Sequence, residues 1–428
     1  MTIVPPGWTS TTLGDVAGLV RNGLFRTRPS DEPVGVAILR ISAVRHDGLD
    51  LTARKYVSGL SHDETIKYSV QQDDLLITRY NGSRRLVGLS ALVPTHEGPL
   101  LHPDKLIRVG LDKTRANPHF VNYQMASPRL RAFLEPRIRT TAGQSGISGA
   151  DVKSMPLWLP VLAEQRRIVE LLDGHLSRLD AGSHLLFMAE RRTRSFVRAV
   201  LENVVPGTPV PGWRDSTVGM AGRLQLGRAR HPDWHDGPEV RPYLRVANVF
   251  EDRIDISSVM SMDFSGVFEK YRLVDGDVLL NEGQSPHLLG RPAIYRGTPA
   301  GAAFTNSLIR FQAGVDVLPE WALLVFRRHM HSGRFRRESR ITTNIAHLSM
   351  TRLKQVEFPI PPLDEQRRRV RMARELLAGV EYMEHESQRA RAKGEGLRRA
   401  LLDAAFSGWL TGRASDLDRV EELAEASA

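Results

Sequence analysis

The sequence contains no cysteine. That excludes disulfides and every zinc site built on thiolates. Long apolar runs are missing too: no stretch approaches the roughly 20 consecutive apolar residues of a membrane-spanning helix. The opening Met1-Thr2-Ile3-Val4-Pro5-Pro6-Gly7-Trp8 has no basic segment followed by an apolar run, so no secretory signal is read there and a cytoplasmic chain is expected. No Gly-x-x-x-x-Gly-Lys-Ser/Thr loop is present, which excludes that mode of ATP binding. No Asn/Asp-Pro-Pro-aromatic motif for amino methylation occurs, and Phe358-Pro359-Ile360-Pro361-Pro362 only echoes its composition. Lysine is scarce: of 59 lysines and arginines only eight are lysines.

The cations are therefore almost all arginine, on a chain with a formal net charge of +10. Guanidinium forks bind phosphates and guanine edges bidentately, so this balance leans toward nucleic acid. A GC-rich coding sequence would give the same excess of arginine, so composition by itself does not decide. At 428 residues the chain is too long for one ordinary core.

The chain is duplicated. Pro6-Gly7-Trp8 returns as Pro211-Gly212-Trp213 at an offset of 205, as do Leu39-Arg40-Ile41 (Leu244-Arg245-Val246) and Leu49-Asp50-Leu51 (Ile254-Asp255-Ile256). Asp74-Leu75-Leu76-Ile77 returns at 203 as Asp277-Val278-Leu279-Leu280, and Leu106-Ile107-Arg108 at 202 as Leu308-Ile309-Arg310. Pro160, Leu162 and Glu164-Gln165-Arg166-Arg167 return at 201 as Pro361, Leu363 and Glu365-Gln366-Arg367-Arg368. An offset that drifts by only four residues marks a repeat, since chance matches scatter. Between these blocks the copies diverge: Arg79-Tyr80-Asn81-Gly82-Ser83 faces Glu282-Gly283-Gln284-Ser285. A shared framework with private loops suits two readers of different ligands.

Each copy has two parts. The first is rich in short apolar runs broken by Gly, Pro, Asn and Asp, which predicts mixed structure with many strands. The second begins after Pro160 or Pro361-Pro362. From Glu164 to about Asn203 there is no proline, and Ile168, Leu172, His175, Leu179, Gly182, Leu186, Ala189, Thr193, Phe196 and Val200 follow helical spacing. Val370, Ala373, Leu376, Leu377, Val380, Met383, Leu397 and Leu401 mark the second run. Gly174, Gly182, Gly379, Gly394 and Gly396 weaken both helices locally, at up to about 1 kcal/mol each against Ala. Two such seams are expected to pack on each other, antiparallel, because the globular parts alternate with them along the chain.

In this order, and twice over, the blocks around Leu39-Arg40-Ile41-Ser42, Asp73-Asp74-Leu75-Leu76-Ile77 and Pro160-Val161-Leu162-Ala163-Glu164-Gln165-Arg166-Arg167-Ile168-Val169 resemble the DNA specificity subunit of type I restriction–modification systems. The resemblance runs from Gly7 to about Gly412. It implies an α+β chain of two mixed α/β target-recognition domains in tandem, separated by two long helices packed as an antiparallel coiled coil. The expected division is 1–160 and 206–362 for the recognition domains, 161–205 and 363–414 for the spacer helices, and a disordered tail at 415–428. The resemblance further implies double-stranded DNA as ligand and two adenine methyltransferase subunits as partners. A restriction and translocase subunit can join them. S-adenosylmethionine, ATP and Mg²⁺ then belong to those partners, and this chain carries no cofactor, metal or catalytic residue.

Base readers must be long, polar and loop-borne. The candidates in the first copy are Arg79, Tyr80, Asn81, Arg84, Arg85 and Lys105, with Thr140, Thr141, Gln144 and Ser145. In the second copy they are Gln284, Ser285, His287 and Arg291, with Arg340, Thr342, Thr343 and Asn344. Ordinary solvated loop residues are the alternative for each one. Arg108, which repeats as Arg310, suits a structural or phosphate role. Arg166, Arg167, Arg191, Arg192, Arg194 and Arg367–Arg369 make basic helix faces, by default solvated, otherwise a docking face.

The rival reading is a stand-alone DNA-modifying or DNA-cleaving enzyme with two recognition domains. Its best centre would be Asp104 with Asp151-Val152-Lys153, three residue types that recur easily by chance. His231, Asp233, His235 and Asp236 suggest a metal only by density and read better as a polar loop.

Overall fold

The computed structural model describes residues 4–25, 29–141, 143–342, 345–410 and 420; at 232, 339–342, 345 and 381 it describes the backbone alone. The chain is mixed α and β and divides into two compact units, Met1–Phe187 with Ser387–Ala428, and Met188–Glu386.

In the first unit a four-stranded antiparallel sheet runs in the order Ala17–Asn22, Leu106–Leu111, Leu75–Thr78, Ser90–Leu92. Alternating side chains of a strand point to opposite faces, and Leu75-Leu76-Ile77 uses both. Leu75 and Ile77 enter the core that holds Phe120 and Trp158, while Leu76 joins Leu39, Val70 and Leu106 behind the sheet. A strand covered on both faces needs the unbroken apolar run seen in the sequence. The second unit has a sheet of the same order, Gly222–Leu226, Leu308–Ala313, Val278–Asn281, Pro292–Ile294. Val278 and Leu280 enter one core and Leu279 the other. Each unit adds a sheet with one parallel pair, Val36–Leu39 with Leu100–Leu101, and Val240–Leu244 with Ala303–Phe304.

Two helices are far longer than the rest, Leu162–Val204 and Leu363–Phe406. Both run through their glycines, and a Cβ added at Gly174, Gly182, Gly379, Gly394 or Gly396 would meet nothing within 4 Å. Within the first unit Ile168, Leu172 and Leu176 share a core with Ala400, Leu401 and Phe406. Arg167 donates to the Leu410 carbonyl (2.8 Å) and Arg398 pairs with Asp180, so these stretches run in opposite senses. Within the second unit Val197, Val200, Leu201 and Val204 share a core with Ala373, Leu377 and Val380. The apolar spacing read from sequence needs correction here. Phe196, Leu376 and Met383 are exposed, and their neighbours Val197 and Leu377 are the buried ones.

The Glu-Gln-Arg-Arg block also has a physical basis. Gln165 is buried; its Oε1 accepts the Asn117 N–H (2.8 Å) and its Nε2 donates to the carbonyls of Pro160 (2.9 Å) and Arg115 (3.2 Å). Gln366 does the same with Leu318 N–H (2.9 Å) and the carbonyls of Pro361 and Asp316 (both 2.8 Å). Each Gln staples the start of a long helix to the turn before a shorter one, Pro118–Met125 or Pro319–His331.

Candidate nucleic-acid interface

The central strand of each four-stranded sheet runs directly into the divergent loop, and there each unit builds a small three-stranded sheet. In the first unit the order is Arg139–Thr141, Gln144–Gly146, Tyr80–Asn81. Thr140 lies opposite Ser145, Thr141 opposite Gln144, and Ser145 opposite Asn81. Two segments some 60 residues apart in sequence are thus brought together. Gly146 permits this, since a Cβ there would stand 2.2 Å from the Tyr80 ring. In the second unit the order is Gly283–Gln284, Ile345–Leu348, Ser339–Thr342, with Gln284 opposite Ala346 and Arg340 opposite His347.

The candidates differ in what their side chains are free to do. Thr140, Thr141, Gln144, Arg85 and Lys105 are exposed. Arg79 lays its guanidinium 4.6 Å from the Tyr80 ring centroid, a cation–π contact that orients both. Asn81 turns its Oδ1 back to the Ser83 N–H (2.9 Å). Two candidates need correction. Ser145 is buried and its hydroxyl bonds to that of Thr140 (2.9 Å), so it shapes the hairpin. Arg84 is spent inside the unit: Nε meets Glu135 Oε1 (2.6 Å), while its terminal nitrogens donate to the carbonyls of Glu135 (2.6 Å) and Ile138 (3.1 Å). Arg131 holds the other Glu135 oxygen at 2.6 Å. The hydrogen bond from Arg84, with the charge of Arg131, holds the Glu135 carboxyl below its ordinary range. This knot braces the loop that presents Arg85.

In the second unit His287 is exposed, Gln284 accepts the Ser285 N–H (3.1 Å), and Arg291 is half-buried with its guanidinium 4.6 Å from the Phe250 centroid. The backbones of Arg340 and Thr342 lie in the small sheet, and Thr343 and Asn344 lie outside the described residues. Sequence reasoning missed Arg139, exposed on the edge strand, and His347, half-exposed 3.2 Å from Glu282. Both flank the chosen segments, and strand alternation across the divergent blocks is the signal that points to them.

Arg108 and Arg310 are structural. Arg108 Nε pairs with buried Asp74 at 2.5 Å. Arg310 bonds to the Arg272 carbonyl (2.7 Å) and Gln225 (2.5 Å), with Asp277 at 3.4 Å. Burial pushes both carboxyls up, since these pairs are taken out of water. Of the nuclease candidates, Asp151 is otherwise engaged. Asp151 accepts from Ser148 N–H (2.8 Å) and Oγ (2.6 Å), closing the capping box of Gly149–Lys153. His231 accepts the Asp233 N–H (3.3 Å) in a local turn, and no three His, Asp or Glu side chains converge as metal ligands among the described residues.

No family model matches the chain. Over 197 residues, 46% of this chain, it is 36% identical to the specificity subunit of the type I restriction enzyme EcoKI of Escherichia coli K12; the match spans 42% of that relative, less than half its length. It is 24% identical to the StySPI specificity subunit of Salmonella potsdam, over 99% of this chain and 94% of that one. A solved chain from work titled "Structural basis underlying complex assembly and conformational transition of the type I R-M system" shares the fold, with a TM-score of 0.63 at 20% identity, covering 96% of this chain and all of that one. The repeat blocks, the fold and these relatives agree: the chain is similar in sequence and in fold to the specificity subunits of type I restriction enzymes.

Proposed function

We propose that the chain reads a bipartite DNA target and directs partner adenine methyltransferase subunits, with or without a restriction and translocase subunit, in the cytoplasm. It is itself non-catalytic. Residues 1–160 and 206–362 are assigned as target-recognition domains. Residues 161–205 and 363–414 are assigned as spacer helices paired in an antiparallel coiled coil, on whose faces two methyltransferase subunits dock. S-adenosylmethionine, ATP and Mg²⁺ are used on those partners. Arg79, Tyr80, Asn81, Arg85, Lys105, Thr140, Thr141 and Gln144 read or position one half-site; Gln284, Ser285, His287, Arg291, Arg340 and Thr342 serve the other, with Thr343 and Asn344 carried over from sequence.

One observation supports this above the rest. In each unit the two segments in which the copies diverge meet on a single small sheet, beside a four-stranded sheet whose order repeats. Polar side chains at such an edge reach base edges while nearby arginines hold phosphates. The test exchanges residues 1–160 for those of another specificity subunit and reads the methylated motif by sequencing. One half of the motif should change and the other stay; a change in both halves would refute modular reading.

A further inference from the structure

The second unit carries a pair of arginines that no acid meets in an ion pair among the described residues. Arg253, on the hairpin that pairs Val249–Phe250 with Arg253–Ile254, lays its guanidinium 4.6 Å from the Phe250 ring centroid. Arg291, at the foot of the divergent loop, approaches the same ring to the same distance. Two cations gathered on one aromatic ring repel each other, and a half-buried one is costly without an anion. Glu251 acts on Arg291 and Asp255 on Arg253 only through space, and the nearby acids have hydrogen-bond partners of their own: Asp255 accepts the Ser257 N–H (2.9 Å). Glu251 binds Arg327 Nε (2.7 Å) and His331 Nε2 (2.9 and 3.0 Å), and Asp252 binds Arg296 (2.9 Å). Arg253 has no hydrogen-bond or ion-pair partner among the described residues, and Arg291 Nε is buried without one.

The hairpin is also fixed in place. Asp252 N–H donates to the Pro292 carbonyl (2.9 Å), next to Arg291, and Asn281 N–H donates to the Arg291 carbonyl (3.2 Å). The pair is therefore held beside the loop that begins at Gln284, on backbone that does not have to order itself around a ligand. The first unit has no counterpart. At the repeat offsets Gly48 stands for Arg253 and Leu89 for Arg291, while Arg45, in place of Phe250, is already paired with Asp50 at 2.5 Å.

We propose that Arg253 and Arg291, set on Phe250, form an oxyanion site that grips one DNA backbone phosphate beside the half-site read by the second unit. This rests on the DNA-reading function above and deepens it. Arg291 becomes a phosphate holder rather than a base reader, and the two half-sites are anchored unequally.

The experiment titrates the full chain against a fluorescent duplex of random sequence over a range of salt. The double variant Arg253→Ala, Arg291→Ala should flatten the slope of log Kobs against log salt by about 0.9, the signature of one phosphate contact. Arg253→Lys should keep most of that slope, since it keeps the charge. Arg198→Ala, on an exposed helix pair with Glu202, should leave the slope unchanged. Arg253 is exposed, so the single variant Arg253→Ala gives the same reading if the double variant melts early. An unchanged slope with binding intact overturns the proposal. So does inorganic phosphate raising the melting temperature of the unsubstituted chain while that slope stays fixed, because the occupant is then a free anion. Absence of any duplex binding by the unsubstituted chain overturns the DNA-reading function as well.

Discussion

In the first unit Gln165 ties three backbone groups together at the start of a long helix; in the second, Gln366 ties the three equivalent groups at an offset of 201. The packing around them repeats too. Trp8 meets Phe120 at 5.7 Å and Trp213 meets Trp321 at 5.6 Å. Arg21 donates to the Lys67 carbonyl (2.9 Å), and its replacement Gln225 donates to that of Lys270 (2.8 Å). The knots that brace the divergent loops are private to each unit. Glu135 with Arg84 and Arg131 belongs to the first, and in the second Ser332 and Arg336 occupy the places of Arg131 and Glu135. Glu251 with Arg327 and His331 belongs to the second, where the first has His46, Ala126 and Leu130. The frame is thus kept by shared hydrogen bonds, while each loop carries its own ion-paired brace, so a loop can change without disturbing the sheet beneath it.

The strongest way to break this comparison is to cut the shared staple. Gln165→Ala or Gln366→Ala leaves one half-buried N–H and two carbonyls without their side-chain partner, a loss of roughly 3 kcal/mol. Peptide-resolved hydrogen exchange should show faster opening only in the unit that carries the change, and to a similar extent for both. A large effect from one and none from the other would mean that the frames only look alike.

Acid tests the comparison at two unrelated places. His102 in the first unit and His329 in the second are both buried, and burial lowers each to about 4. Phe304 and Pro128 occupy the matching positions in the other unit. The folded pKa lies below the ordinary value near 6.5, so the unfolded chain takes the proton first. Stability is therefore whole above about pH 6.5 and falls as the pH drops toward 4, by about 3 kcal/mol for each His. Denaturant midpoints at stepped pH check this, and His102→Gln should flatten the dependence in the first unit alone. A dependence unchanged by that substitution would show that His102 is not the titrating group.

The smallest effect concerns the helices. Because an added Cβ meets open space, Gly182→Ala and Gly396→Ala should each stabilise the chain by up to about 1 kcal/mol. A thermal midpoint that rises for neither would mean that these turns are not helical in solution.

Much of the molecule was legible in sequence for local reasons. Freedom from proline and apolar spacing over Glu164–Asn203 announce a helix because both act within a few residues of chain. The repeat marks the framework, and divergence between the copies marks the segments that converge on the small sheets. Which arginines are available there could not be read in the same way. Arg84 and Arg85 are neighbours with the same chemistry, yet Arg84 is taken by Glu135, 51 residues away, and Arg85 stays exposed. Ser145 and Thr140 look alike in a list of polar loop residues, but only Ser145 turns inward when its strand pairs. By itself the sequence determined the helices, the doubled framework and the places where the copies differ, since those depend on propensity and pattern. Only the tertiary structure decided which side chains are braces and which are free, because a donor is committed by whatever acceptor the fold brings beside it.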